Sequence, residues 1–314
     1  MVDTALLKSL RDGFGEAIVE IAKTNPNVVV LSADLAESCR VDKFEQAYPG
    51  RFFQVGVAEQ NMAGVSSGLA LSGKIPFMVS YSVFSPGGNF AQIRTSICDP
   101  KANVKIIGTH AGLSAARDGA THQALEDIAL MRVLPSTTVI APSDYYETKK
   151  AILEAVKING PVYIRLSRDA TPFVTKENST FAVGKAQVIN EGSNVTIVFC
   201  GPVGANVMEA VSGLGTQVSC EVINCSTIKP LDEETLLKSA QKTKRVITVE
   251  EHQISGGLGG AVCELLSEKL PTKVKRLGIN DSFGESGSYE ELMDKHGLSS
   301  KKLAQSIKNF VEES

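Results

Sequence analysis

Three short stretches of this sequence carry side chains suited to proton transfer or anion recognition. In Val55-Gly56-Val57-Ala58-Glu59-Gln60-Asn61-Met62-Ala63-Gly64 a strand-like run ends in glycine, and a carboxylate opens an apolar, small-residue helix. The helix dipole favours a glutamate in the first turn on structural grounds alone. Met62, Ala63, Gly64, Val65 and Gly68 make this a helix expected to be buried against its neighbours. Burial raises a carboxylate's pKa toward the range of a usable proton donor. The second stretch runs from Gly108 to Gln123 and holds His110 and His122, two of the four histidines, with Asp118 between them. It follows a hydrophobic strand, at the carboxyl end where open α/β sheets bind ligands. Two histidines and an aspartate suit hydrogen bonding to a hydroxylated substrate. They are too few for a metal, so no metal ligand is assigned to this chain. The third stretch is Ile164-Arg165-Leu166-Ser167-Arg168; one arginine is read as an ordinary salt-bridge partner, and the other as a bidentate anion clamp. The glycine-rich Ser255-Gly256-Gly257-Leu258-Gly259-Gly260 lacks the Gly-x-Gly-x-x-Gly spacing, so close helix packing accounts for it.

The elements that must position these residues alternate. Residues 4–24 read as one amphipathic helix, with strands expected at 28–31, 52–55, 75–79, 104–107, 138–140 and 162–164, and a helix at 59–71. This alternation argues for a mostly parallel sheet covered by helices on both faces. From Arg168 to Ser193 the periodicity fades into Ser, Thr, Asn, Gly and Pro, as in a linker. Strands at 195–199, 218–223 and 246–249 and a final helix at 299–311 then form a second unit. The reading is α/β throughout: a parallel-sheet domain at 1–175, a linker at 176–189 and a smaller α/β domain at 190–314.

Composition narrows the function classes. The chain has 314 residues, is 43% hydrophobic and carries a net charge of −3, so it offers no broad basic footprint for nucleic acid. It has no apolar run of the roughly 20 residues that span a bilayer. The amino-terminal residues lack the basic-then-apolar order of a secretory signal. The six cysteines form no Cys-x-x-Cys pair, which suits reduced, mostly buried thiols. These features lead us to expect a cytoplasmic globular protein.

Taken jointly, three runs resemble the carboxyl-terminal half of transketolase, the thiamine-diphosphate enzyme: Val57-Ala58-Glu59-Gln60-Asn61-Met62, His110 through His122, and Leu166-Ser167-Arg168. Ala33-Asp34-Leu35, Ser38 and Arg11 fit the family's spacing as well. The specific motifs cover about 1–170, while the second unit is similar in general pattern only. The resemblance implies a pyrimidine-binding domain followed by a transketolase C-terminal domain. It further implies that Glu59 shares a proton with the cofactor's aminopyrimidine ring and that the cofactor acts as an electron sink. It puts Phe84 against that ring, with Tyr81 and Phe90 as neighbouring walls and Asp34 beside the cofactor. His110, Asp118 and His122 would read substrate hydroxyls, the two histidines also serving in catalysis, while Arg11, Ser38 and Arg168 would cradle a sugar phosphate. The chain departs from the family at Ser85-Pro86-Gly87-Gly88-Asn89 and at Arg117, where an acidic residue is frequent. It also lacks the family's Gly-Asp-Gly. The resemblance therefore implies a split enzyme, whose N-terminal subunit brings the diphosphate site and its Mg²⁺ (or Ca²⁺), in an α2β2 assembly. The rival readings are a β subunit of a 2-oxo acid dehydrogenase, a deoxyxylulose-phosphate-synthase-like enzyme, and a non-catalytic regulatory subunit.

Overall fold

The alternating pleat of the strands sets which side chains each face buries. The computed structural model describes residues 3–313. Its first unit contains β1 (Asp3–Ser9), α1 (Leu10–Thr24), β2 (Val28–Ser32), α2 (Asp42–Ala47), β3 (Phe52–Gln54), α3 (Glu59–Leu71) and β4 (Ile75–Tyr81). It continues with α4 (Phe90–Gln92), β5 (Lys105–Thr109), α5 (Asp127–Val133), β6 (Thr138–Ile140), α6 (Tyr145–Ala155), β7 (Val162–Arg165) and β8 (Ala170–Phe173). The second unit contains β9 (Gln187–Asn190), β10 (Val195–Phe199), α7 (Gly204–Leu214), β11 (Cys220–Asn224), β12 (Thr227–Lys229) and α8 (Glu233–Thr243). It ends with β13 (Arg245–Gln253), α9 (Leu258–Lys269), β14 (Lys273–Ile279), α10 (Tyr289–Lys295) and α11 (Ser300–Glu312).

The larger sheet has the order β12-β6-β7-β5-β4-β2-β3. All its pairings are parallel except that of β12. Its inner strands are buried on both faces, which explains their unbroken Val-, Ile- and Phe-rich runs. Val28, Val30, Phe77 and Val79 point to the face covered by α1 and α6 and pack with Phe14, Ile18 and Ile152. Val29, Leu31 and Met78 point the other way, into a cluster that also holds Val198, Ile223, Leu258 and Val262 of the second unit. One hydrophobic core therefore runs through both units. The smaller sheet has the order β14-β13-β10-β11-β9.

Two departures from the sequence reading have physical causes. The single helix expected over 4–24 is a strand, β1, followed by α1. Residues 3–9 pair antiparallel with β8, and Ser9 begins the helix through a capping box with Asp12. The Ser9 hydroxyl accepts the Asp12 amide at 3.1 Å and donates to the Asp12 carboxylate at 2.7 Å. The stretch between the units is also not featureless, because it contributes β8 and β9. The small strand β12 crosses back from the second unit to the edge of the larger sheet, antiparallel to β6. Among the described residues, no helix is long and apolar enough to cross a membrane.

Removing the cap tests this account of α1. Ser9→Ala should cost about 1 kcal/mol of stability, read as a lowered urea midpoint with an unchanged denaturant slope. An unaltered midpoint would show that the strand pairing alone sets where the helix begins.

Candidate active site

The parallel register brings the chemical stretches together. Tyr81 of β4 lies opposite Thr109 of β5, and Gly108 of β5 lies opposite Arg165 of β7. The residues that follow these strands therefore emerge side by side at one edge of the sheet, the edge where such folds bind ligands. Tyr81 stacks on His110 with ring centroids 3.7 Å apart. Phe84 stacks on Tyr81 at 5.9 Å and meets His122 edge-on at 5.4 Å. The structure thus joins His110, His122, Tyr81 and Phe84 into one aromatic cluster. Phe90 is not part of it and packs against the hydrophobic cluster that includes Met62 and Met78.

His110 is almost fully buried and adopts a positive φ of 55°. The Thr109 hydroxyl lies 3.0 Å from its Nδ1, and Arg11 Nη1 lies 3.5 Å from its Nε2. Burial, and then the positive charges of Arg11 and Arg168, push its pKa down to about 2. The ring is therefore neutral at any working pH and acts as a hydrogen-bonding group. It is not a reservoir of positive charge.

Arg11 braces its neighbours through the main chain. Its guanidinium is buried and donates to the main-chain oxygen of Arg168 at 3.1 and 2.8 Å and to the main-chain oxygen of Ser38. Three of the five guanidinium N–H donors are thereby engaged with main-chain oxygens, so that Arg11 holds Ser38 and Arg168 in place. Arg168 keeps most of its fork available. Its side chain is 38% exposed, with Nη1 3.3 Å from the Ala115 oxygen and 3.6 Å from Asp118. Asp118 itself is exposed, at the end of the turn Gly112–Asp118. The other arginine of this motif, Arg165, is a buried salt-bridge partner, 2.9 Å from Asp127.

Glu59 opens α3, and its side chain is half-buried rather than enclosed. The Ser80 hydroxyl donates to its Oε1 at 2.9 Å. Asn89 donates to its main-chain oxygen at 2.9 Å and to Ser85 Oγ at 3.3 Å, tying the departing segment at 85–89 to α3. The helix was expected to be buried against its neighbours, yet only Met62, Ala63, Ser66 and Ser67 are buried. Asn61, Gly64, Val65, Gly68 and Leu71 face outward. Asp34 is exposed with a φ of 62°, its amide donating to Gln54 Oε1 at 2.6 Å. Among the described residues it makes no hydrogen bond to Glu59 or to the ring cluster.

Sequence reasoning passed over Ser80, Asn89, Ser114 and Glu251. Ser80 had a local signal, being a hydroxyl within an apolar strand. Glu251 had none, because it reaches the site from β13 in the other domain. It accepts the Ser114 amide at 3.1 Å and the Tyr289 hydroxyl at 2.7 Å. Burial pushes its carboxyl up to about 7, opposed by Arg165 and by the Tyr289 hydrogen bond.

The comparisons with known proteins agree with this geometry. The model of the transketolase pyrimidine-binding domain matches residues 8–174, and that of the transketolase C-terminal domain matches residues 184–303. The chain belongs to the transketolase family. A provisionally named transketolase C-terminal section of Methanocaldococcus jannaschii is 44% identical over 97% of this chain and 96% of its own length. The 6-deoxy-6-sulfo-D-fructose transketolase subunit SqwH of Clostridium sp. (strain MSTE9) is 39% identical over 96% of this chain and 94% of its own. A solved structure described as a split-gene transketolase, an inactive β4 tetramer, is 44% identical, with a TM-score of 0.90. It covers 97% of this chain and 98% of its own. Within the family, this chain corresponds to the C-terminal subunit of a split transketolase.

The burial of a neutral His110 has a consequence for stability. Unfolding releases a histidine of ordinary pKa near 6.5, which then takes up a proton that the folded ring refuses. Stability should therefore fall as pH drops below 6.5, by on the order of 1 kcal/mol per pH unit from this group. Urea unfolding of the wild type and of His110→Gln at pH 6.5 and 5 checks this. The variant should lose less than the wild type over that interval, and parallel losses would refute the account.

Proposed function

We propose that this chain transfers a two-carbon ketol unit from a ketose phosphate to an aldose phosphate once an N-terminal transketolase subunit completes it. The observation that carries the reading is the setting of Glu59. Its Oε1 is held by Ser80, the residue before Tyr81 of the aromatic cluster, and Glu59 is half-buried at the start of α3. Val57 is 81% exposed, Leu71 69% and Phe53 36%. Val57 precedes α3 and Leu71 ends it, and the exposed residues of that helix include Gly64, Val65 and Gly68. Exposed apolar side chains of this kind suit burial against a second polypeptide. The solved split-gene relative described as an inactive β4 tetramer supports the same dependence. We assign the partner the diphosphate site and its Mg²⁺ or Ca²⁺, in an α2β2 assembly. The six unpaired cysteines suit a reducing compartment such as the cytoplasm.

The residues present fit thiamine diphosphate. Among the described residues only one oxygen of the Glu59 carboxyl is hydrogen-bonded, and the half-buried, stacked Tyr81–Phe84 pair offers apolar ring surface. When bound, that cofactor supplies the nucleophilic carbon and the electron sink. Glu59 would hold a proton between its free carboxyl oxygen and a ring nitrogen, with Ser80 fixing the carboxyl's rotation. His110, neutral and braced by Thr109, and His122 would hydrogen-bond the sugar's hydroxyls, together with Asp118. Arg168, steadied by Arg11, would bind the terminal anion.

Reconstitution with the N-terminal subunit, thiamine diphosphate and Mg²⁺ tests the reading. Glycolaldehyde transfer from xylulose 5-phosphate should appear only in the complex, and pyruvate decarboxylation should not. Decarboxylation in its place would favour a 2-oxo acid dehydrogenase subunit. In the complex, Glu59→Gln should fold normally and lose at least about a hundredfold in kcat; more than a few per cent residual turnover would mean the proton-handling group is another residue.

A separate substitution addresses substrate recognition. Arg168→Ala should raise KM for phosphorylated donors about tenfold or more, with a much smaller change for unphosphorylated ones. Equal effects on both would remove the anion assignment.

A further inference from the structure

The anion-binding edge of the site rests on the second domain, and the contacts trace how. The turn Gly112–Asp118 is not a relaxed loop, since Ala116 has a φ of 49° and a ψ of −106°. A non-glycine residue holds such a conformation only when its surroundings impose it. Gln123 Nε2 donates to the Ala116 oxygen at 3.1 Å, and the C-terminal domain holds the residues just before Ala116. Leu113 is buried in the hydrophobic cluster built from β10, β13 and α7. Glu251, 1% exposed, accepts the Ser114 amide, and Tyr289 of α10 holds its other oxygen. Gly112 lies so close that a Cβ there would run into the Glu251 carboxylate.

Ser114 carries this anchorage to the site. Its hydroxyl donates to the Ala111 oxygen at 2.6 Å and accepts the Arg168 amide at 2.9 Å. Arg168 is thus held at its amide by Ser114 and at its carbonyl by Arg11, while its guanidinium rests against Ala115 and Asp118 of the same turn. Apart from those with Arg11, the polar contacts of Arg168 among the described residues are with this turn, and Glu251 is the side chain of the second domain that hydrogen-bonds the turn at Ser114.

The geometry points to Glu251 as a positioning residue through which the C-terminal domain sets the grip of Arg168 on the anionic end of the substrate. The inference rests on the reading of Arg168 given under Proposed function and assigns the second domain a part in recognition. Glu251 touches no substrate. Its effect passes through Ser114.

The test is a set of substitutions in the chain reconstituted with its N-terminal subunit. Glu251→Ala should raise KM for xylulose 5-phosphate about tenfold and leave kcat within about threefold, in line with losing one charge-assisted hydrogen bond. Glu251→Gln, which keeps an acceptor, should recover most of the loss. Ser114→Ala cuts the same link at its other end, should behave like Glu251→Ala, and carries the test should that variant not fold. Glu251→Ala should add nothing to the KM of Arg168→Ala, because both lie on one path. Amide exchange at Ser114 and Arg168 in the Glu251→Gln protein should speed up relative to the strand amides of β5. Full additivity with Arg168→Ala, or an equal rise in KM for an unphosphorylated ketose, would overturn the proposal while leaving Arg168 in place. An Arg168→Ala protein with unchanged KM for phosphorylated donors would overturn the parent reading and this one together.

Discussion

Much of the structure depends on one buried guanidinium. Arg165, at the end of β7, is 4% exposed and pairs with Asp127 of α5 at 2.9 Å, and Tyr163 donates to the same carboxylate at 2.6 Å. Its Nη2 donates to the main-chain oxygen of Glu251 in the other domain at 2.7 Å. A charge taken out of water is tolerable only when its donors are engaged. Those partners therefore fix how β7, α5 and β13 sit against one another. Loss of one member of such a buried pair typically costs about 3–5 kcal/mol, because the other is left uncompensated.

That constraint shapes the site. The parallel strands deliver Tyr81, His110 and Arg168 to one edge, but strand ends alone do not hold a strained turn. The turn Gly112–Asp118 is held by β13 and α10, and β13 in turn is registered against β7 through Arg165. A network that crosses a domain boundary makes the two units act as one scaffold, consistent with the hydrophobic cluster they share. The electrostatics follow from the same arrangement. Burial, and then the nearby Arg11 and Arg168, keep the His110 imidazole neutral, while Arg11 is engaged with main-chain oxygens of Ser38 and Arg168.

Several parts of this architecture were legible in the residues. The alternating β and α segments and the runs around Glu59, His110 and Arg168 led to the parallel fold and to the right edge of it. Of the two arginines in that motif, one of them expected in an ordinary salt bridge, Arg165 is the one so paired, and Arg168 is half-exposed. Other readings failed for identifiable reasons. The helix over 4–24 looked continuous because periodicity does not register a strand that forms only by pairing with β8, more than 150 residues away. Phe90 and Phe84 look alike in sequence, yet a turn at 85–89 sends one into the core and the other onto Tyr81.

The sequence by itself determined the things that depend on local order: strand and helix alternation, and which side chains stand just past the ends of β4, β5 and β7. Only the tertiary structure decided which donors are free and which are already engaged, that Glu59 stands at an open face rather than in an enclosed one, and that Glu251 supports the substrate turn. The physical reason is that hydrogen-bond satisfaction and burial are properties of a three-dimensional neighbourhood. Residues such as Glu251 and Ser114, 137 positions apart, enter that neighbourhood with nothing in the intervening chain to announce it.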